Sequence, residues 1–212
     1  MRLIIFGPQG AGKGTQSARL QEKFDIAVVS TGDMFREGVK SHSDLGAKVR
    51  SYIDAGKLVP DELTIEVVRA RLSQDDARSG FLLDGFPRTI GQAKALDEVL
   101  ADEKQHLDAA IALEVPEDVS LRRIMGRRVC KECGRNYHVD APPASDWRCD
   151  RCGGEVVQRN DDADEEAIRS RLEAYHEQTE PLKEYYRDQG ILREVNGVGS
   201  PDEVFGRILA AL

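Results

Sequence analysis

Leu3-Ile4-Ile5-Phe6-Gly7-Pro8-Gln9-Gly10-Ala11-Gly12-Lys13-Gly14-Thr15 is the stretch that decides the fold. Its first four residues form an apolar run of the length of a buried strand. The remaining nine make a glycine-rich turn that carries a lysine. A helical stretch with Ala18, Leu20 and Phe24 follows. Strand, glycine-rich turn, Gly-Lys and helix, in that order, are the context of a P-loop. Glycines let backbone N–H groups turn inward around phosphate oxygens, and the helix adds its positive N-terminal end. A nucleoside triphosphate site is therefore predicted at Gly10, Ala11, Gly12, Lys13, Gly14 and Thr15, with Lys13 reaching the β- and γ-phosphates. The hydroxyl comes one position late, because Gly14 separates Lys13 from Thr15; the commoner form has Ser or Thr directly after the lysine.

Outward from this motif, apolar runs recur at Ile26–Val29, Phe81–Leu83, Ala109–Val115 and Ile191–Val195. Amphipathic stretches separate them, as in Leu63–Leu72, Ala93–Leu100 and Val119–Met125. Strands alternating with helices predict an α/β fold, a parallel five-stranded sheet flanked by helices on both faces. Ser200-Pro201-Asp202-Glu203 opens a last helix with an N-cap, a proline in the first turn and a capping box. Two segments break the rhythm. Residues 31–60 hold two short helices with no apolar strand between them, and residues 126–162 are polar and contain Pro142-Pro143. Both read as insertions, placed over the phosphates because ligands of open parallel sheets lie past the strand C-termini.

The 212 residues suit one domain with a modest insertion, and 40% hydrophobic content supports a core. No run approaches the ~18 apolar residues of a membrane span, and the P-loop begins too early for a leader segment. The expectation is a soluble, cytoplasmic protein. A net charge of −8 argues against a nucleic-acid coat. Arginines nevertheless crowd residues 122–171, which suits either a compact polyanion or a solvated charged face, since Asp and Glu crowd residues 155–173 as well.

All four cysteines fall in one segment. Cys130-x2-Cys133 and Cys149-x2-Cys152 are fifteen residues apart, a spacing that matches a four-thiolate zinc site. Gly134 and Gly153-Gly154 follow the two pairs and suit the tight turns of zinc knuckles. Four protein ligands leave no open position, so the metal is expected to be structural; Co²⁺ and Fe²⁺ also suit tetrahedral thiolates. Two disulfides or a redox pair are the rival reading, disfavoured by a reducing compartment. A nucleic-acid-binding zinc ribbon is a second rival, but the basic residues nearby are accounted for by the net negative charge of four thiolates around Zn²⁺.

Phe81-Leu82-Leu83-Asp84-Gly85-Phe86-Pro87-Arg88 is a second dense motif. An apolar strand ends on a carboxylate, as a Walker-B-like Asp does, and such an Asp holds Mg²⁺ directly or through water. Taken together, the sequence resembles the adenylate kinase family in its long form with a cysteine-type lid. The resemblance covers essentially the whole chain. It rests on Gly7–Thr15, Ser30–Arg36, Asp54–Pro60, Phe81–Arg88, Gln92, Gly126-Arg127-Arg128 and the region from Arg159 to Arg171.

This resemblance implies a P-loop kinase fold with a core of residues 1–29, 60–126 and 163–212, an AMP-binding insertion at 30–59 and a zinc-ribbon-like lid at 127–162. It implies that Thr31, Arg36, Lys57, Leu58, Val59, Gly85, Phe86, Pro87, Arg88 and Gln92 hold AMP, with Gln92 reading the adenine edge. Arg123 matches a residue stacked on the ATP adenine, and Gly199 one that meets adenine through its backbone. Arg127 matches a phosphate-binding arginine. Arg159 and Arg171 resemble two arginines that reach the phosphates on lid closure. The stretch after Arg159 holds one residue more than the usual spacing; counting from Arg159 aligns Asp161 and Asp162 with the family's acidic pair.

The implied reaction is ATP + AMP = 2 ADP, with Mg²⁺ accompanying ATP and ATP, AMP and ADP as the ligands of a monomer. The acceptor phosphate is largely ionised at neutral pH, so no general base is needed. His42, His106, His138 and His176 are scattered and read as surface residues. The work is alignment and charge neutralisation, which assigns Lys13, Arg88, Arg127, Arg159 and Arg171 as catalytic. Arginine suits the task because its planar fork binds phosphate bidentately. A UMP/CMP-type or other small-acceptor P-loop kinase is the alternative within enzymes. A zinc-ribbon ATPase that binds nucleic acid is the alternative from another class.

Overall fold

A computed structural model of the chain describes residues 1–159, 162 and 164–212. In chain order the elements are β1 (Arg2–Phe6), α1 (Lys13–Phe24), β2 (Ala27–Ser30), α2 (Thr31–Lys40), α3 (Asp44–Asp54), α4 (Asp61–Leu72), α5 (Asp75–Arg78), β3 (Phe81–Asp84), α6 (Ile90–Asp102), β4 (Ala109–Glu114), α7 (Glu117–Gly126), β5 (Arg127–Cys130), β6 (Asn136–His138), β7 (Val156–Val157), α8 (Glu165–Ala174), a π-helical turn (Tyr175–Thr179), α9 (Leu182–Asp188), β8 (Leu192–Asn196) and α10 (Pro201–Ala211). The α/β expectation holds. Strands β2, β3, β1, β4 and β8 form a five-stranded sheet in that order, and every pairing is parallel.

Continuous apolar strands are what a sheet covered on both faces requires. In β1, Ile4 and Phe6 face one side and Leu3 and Ile5 the other. The first side packs against Val68 and Leu72 of α4, Leu96 and Leu100 of α6, and Leu182 and Tyr186 of α9. The second packs against Leu20 of α1 and Val204 and Ile208 of α10. The expected capping box at Ser200 and Glu203 is present.

Two smaller apolar clusters stand apart from this core. Phe35, Val49 and Val59 knit α2 and α3 together, joined by partly buried Leu63 and Val67 of α4. A three-stranded antiparallel sheet, in the order β6, β5, β7, holds Cys130, Cys149 and Val156 as its buried centre. Asn136 of this small sheet reaches the P-loop: its Nδ2 lies 3.6 Å from where a side chain on Gly14 would begin. Lys40 of α2 donates to the carbonyl of Lys131 at 3.4 Å. The segments read as insertions thus meet over the C-terminal ends of the parallel strands. Among the described residues no helix is long and apolar enough to cross a membrane.

Candidate active site

The strand ends open onto one cleft of about 1760 Å³ lined by the P-loop, α2, the turn after β3, α7, the small sheet and α8. The P-loop enters α1 through Gly12, whose φ of 97° is left-handed backbone that a side chain would strain. Lys13 therefore starts the helix at the cleft floor. Its Nζ donates to the carbonyls of Gly7 at 2.8 Å and Pro8 at 2.9 Å. Desolvation in this walled site lowers the Lys13 pKa to about 8, against the opposing pull of Asp84. Gly14 and Thr15 are exposed at the mouth.

Asp84 ends β3 directly opposite. Burial pushes its pKa up and Asp33 adds to that, while Lys13 pulls it down. The Ser17 hydroxyl of α1 reaches its Oδ2 at 3.4 Å. Lys13 and Asp84, both half-buried, thus act on each other through their charges, and desolvation disfavours the ionised form of each. The turn beyond Asp84 carries Arg88, whose Nε donates to the Gly85 carbonyl at 2.8 Å. Thr31, at the start of α2, donates to that same carbonyl at 2.8 Å. Arg36 of α2 pairs with Asp33 at 2.5 Å, and Arg36, Arg159 and Arg171 are the cations whose fields act on Arg88, together with the anion Asp84.

Arg127, Arg159 and Arg171 converge on Asp162, a carboxylate 2% exposed. Arg127 donates to it bidentately, 2.7 Å from Nε and 2.7 Å from Nη2. Arg171 Nη1 donates to it at 3.3 Å, and Arg159 Nε lies at 3.9 Å. Gln9 of the P-loop joins through its Nε2 at 3.3 Å. Asp162 is thus a hub that sequence reasoning assigned only by alignment; its partner in that alignment, Asp161, lies outside the described residues. A carboxylate amid three arginines is visible only once β5, α8 and the P-loop are brought together.

Arg123 of α7 donates to the carbonyl of Gly197 at 3.0 Å and approaches that of Gly199 at 3.5 Å. This unites two residues predicted to meet one base, 76 positions apart. On the other side, Gln92 of α6 is 2% exposed, and Val59 is buried while Lys57 is exposed. The reading of the four histidines as surface residues needs one correction. His42, His106 and His176 are exposed, but His138 lines the cleft with its ring pressed onto Gly126. Gly126 lacks the Cβ that would collide with the ring, and the ring's Nδ1 accepts from the Asp140 N–H at 3.1 Å. Asn136 and Tyr137, of the same strand as His138, also line the cleft and carry no assigned role from the sequence, because β6 has no pattern that marks it before it folds back on β5.

The cysteine sulfurs form the second centre. All four lie within 4.8 Å of one another, and Cys130–Cys152 and Cys133–Cys149 are each 3.5 Å apart. Ligands around a tetrahedral ion at about 2.3 Å are about 3.8 Å apart, so the donor set fits a single four-thiolate metal. Tyr137 donates its hydroxyl to Cys149 Sγ at 3.4 Å and accepts from the Asp150 N–H at 2.8 Å. The Tyr137 hydroxyl is the first cause of a Cys149 pKa lowered to about 6, whereas hydrogen bonds with the thiols of Cys130 and Cys133 push Cys152 up to about 12.

Comparison with known proteins points to one family. The profile of the adenylate kinase family matches residues 5–191. The chain is 53% identical over 209 residues to an adenylate kinase of Clostridium botulinum (strain 657 / Type Ba4), covering 98% of this chain and 96% of that one. It is 51% identical over 213 residues to an adenylate kinase of Desulfitobacterium hafniense (strain DSM 10664 / DCB-2), covering 100% and 98%. Against an adenylate kinase of Thermodesulfovibrio yellowstonii the identity is 50%, with 100% and 99% covered.

Proposed function

The chain belongs to the adenylate kinase family, and from that premise we propose how its own residues divide the reaction ATP + AMP = 2 ADP. It is an enzyme, a nucleoside monophosphate kinase acting as an adenylate kinase. Enzymes of this family use Mg²⁺ with ATP; the metal supplies charge neutralisation to the phosphates. The observation that carries our division of labour is the convergence of Lys13, Asp84, Arg88, Arg127, Arg159 and Arg171 on one cleft.

ATP occupies the P-loop side. Gly10–Thr15 cradle its phosphates and Lys13 exchanges the Gly7 and Pro8 carbonyls for phosphate oxygens. Arg123 and the backbone at Gly199 flank its base. AMP occupies the side of α2 and α3, against Thr31, Arg36, Lys57–Val59, Gly85–Arg88 and Gln92. Asp84 would hold the Mg²⁺ that comes with ATP. Arg88, in the field of Arg36, Arg159 and Arg171, lies where donor and acceptor phosphates meet. Arg127, Arg159 and Arg171 neutralise charge in transit, since a loose phosphoryl transfer asks mainly for alignment and electrostatics.

Residues 30–59 act as the AMP-binding insertion and 127–162 as the lid, on a core of 1–29, 60–126 and 163–212. Closing both over the cleft excludes water, which would otherwise accept the phosphoryl group. The four cysteines hold a structural Zn²⁺. The protein works as a monomer in the cytoplasm, without nucleic acid or membrane. A coupled assay with AMP, CMP, UMP and GMP as acceptors tests the acceptor site. AMP is expected to be preferred by a wide margin, and comparable turnover with CMP or UMP would overturn the assignment of Gln92, Arg88, Thr31 and Arg36 to AMP.

A further inference from the structure

Gln92 is gripped on both sides of its amide. Its Oε1 accepts from the backbone N–H of Arg88 at 2.7 Å, and its Nε2 donates to Asp61 Oδ1 at 2.7 Å. The second oxygen of Asp61 accepts from the Thr89 hydroxyl at 2.7 Å. Thr89 Oγ1 in turn accepts from the Gln92 backbone N–H at 3.1 Å, capping α6. Gly91 leaves room for this arrangement, because a side chain there would start 3.1 Å from Asp61 Oδ2.

These partners admit one orientation of the amide. A backbone N–H only donates and a carboxylate only accepts. Reversing Gln92 would set Oε1 against the carboxylate and the NH₂ group against the Arg88 N–H, at a nearly fully buried position. The orientation therefore follows from chemistry, not from a choice between similar atoms. One N–H of Nε2 and one lone pair of Oε1 remain unused by these two contacts.

We propose that Asp61 is a specificity-determining positioning residue, which locks the Gln92 amide so that the acceptor site takes a 6-aminopurine and rejects a 6-oxopurine. This rests on the reading above that Gln92 meets the acceptor base. A 6-aminopurine offers an acceptor at ring N1 and a donor at its amino group, which complement the remaining N–H and lone pair. A 6-oxopurine offers the reverse, a donor at N1 and an acceptor at O6. A glutamine free to flip would serve both. A glutamine held by Asp61 serves only the first, and a 6-oxopurine would leave two buried groups opposed. Asp61 touches no substrate in this arrangement and acts through Gln92.

The test compares kcat/KM for AMP and IMP, with ATP as donor, in the wild type, Asp61→Asn and Asp61→Ser. IMP keeps the outline of AMP and reverses only the 1,6 edge. An asparagine or a serine can donate or accept, so either tolerates a reversed Gln92, and Thr89 still caps α6. The wild-type preference for AMP is expected to be on the order of 10³ or more. It should narrow about tenfold or more in both variants, mainly through a rise with IMP, at unchanged KM for ATP. The Arg88 N–H keeps the preference from vanishing. A parallel fall with AMP and IMP at a constant ratio would make Asp61 a purely structural residue and overturn the proposal, as would an unchanged ratio in either folded variant. A wild type that does not distinguish AMP from IMP would instead overturn the placement of Gln92 at the acceptor base, and the proposal with it.

Discussion

Lys13 and Arg88 carry the residue-scale predictions. The Lys13 pKa lies below its ordinary value, at about 8, with desolvation the main cause. Its charged form, which attracts phosphate, is therefore full below that pH and lost as pH rises through it. In the free enzyme kcat/KM for ATP should fall on the alkaline side with an apparent pKa near 8, since that parameter reports free-enzyme groups. Lys13→Arg stays charged and should lose this limb, whatever its absolute rate; a limb that persists in Lys13→Arg would assign it to another group. Arg88 is a separate case. Its guanidinium is anchored by one backbone contact to Gly85 and otherwise faces charges of the cleft, so little of the fold depends on it. Arg88→Ala is expected to lose about 10²–10³ in kcat, as for one transition-state donor, with the melting temperature almost unchanged. Near-normal kcat in the folded variant would remove Arg88 from the catalytic set.

The α2–α3 pair sets the prediction at the scale of elements. Gly46 of α3 lies against Gly38 of α2 so closely that a Cβ on Gly46 would stand 2.0 Å from the Gly38 carbonyl oxygen and 2.6 Å from the Val39 nitrogen. Both are backbone atoms and cannot turn aside. Gly46→Val must separate the helices around Phe35, Val49 and Val59 and should cost about 1–3 kcal/mol, as overpacking does. Because Thr31 and Arg36 ride on α2, KM for AMP should rise well above that for ATP. Steady-state kinetics on both substrates decide the matter: equal changes in the two constants would deny that this pair serves the acceptor alone.

For the whole molecule, the separation of cores predicts what metal removal does. The small sheet buries little beyond Cys130, Cys149 and Val156, with Cys133, Tyr137 and Trp147 packed beside them. None of these belongs to the clusters on either face of the parallel sheet. So small a unit cannot bury enough apolar surface to fold on that alone, and a metal on the four cysteines would supply the missing stability. Chelation, or Cys130→Ser, should lower the melting temperature while far-UV circular dichroism of the α/β core persists. At low temperature ADP formation should largely survive, because Lys13, Arg36 and Arg88 stand on β1–α1, α2 and the turn after β3. Complete loss of activity in an apo protein that is still folded throughout would make the metal catalytic.

The parallel sheet, the alternation of strands and helices, the glycine-rich turn into α1, the carboxylate that ends β3 and the cysteine pairs were all legible in the chain, because each is local. An apolar run makes a strand, a glycine-rich turn cradles phosphate, and two Cys-x-x-Cys knuckles present sulfurs, all within a few residues. The family resemblance proposed roles for Gln92, Arg123 and Gly199 that spacing alone does not suggest. What the tertiary structure decided is long-range pairing of charge and hydrogen bonds. Asp162 gathers Arg127 from 35 positions away and Gln9 from 153, and Asp61 reaches Gln92 across 31. Neither carboxylate lies in a pattern of its own. An acidic residue at a helix start reads as dipole compensation, and only the packing of α4 beside α6 turns Asp61 into a clamp. His138 likewise looks like a surface histidine until β6 folds onto β5 and lays its ring on Gly126. Short-range periodicity carries no information about which distant polar groups must satisfy one another once packing excludes water; the folded arrangement does.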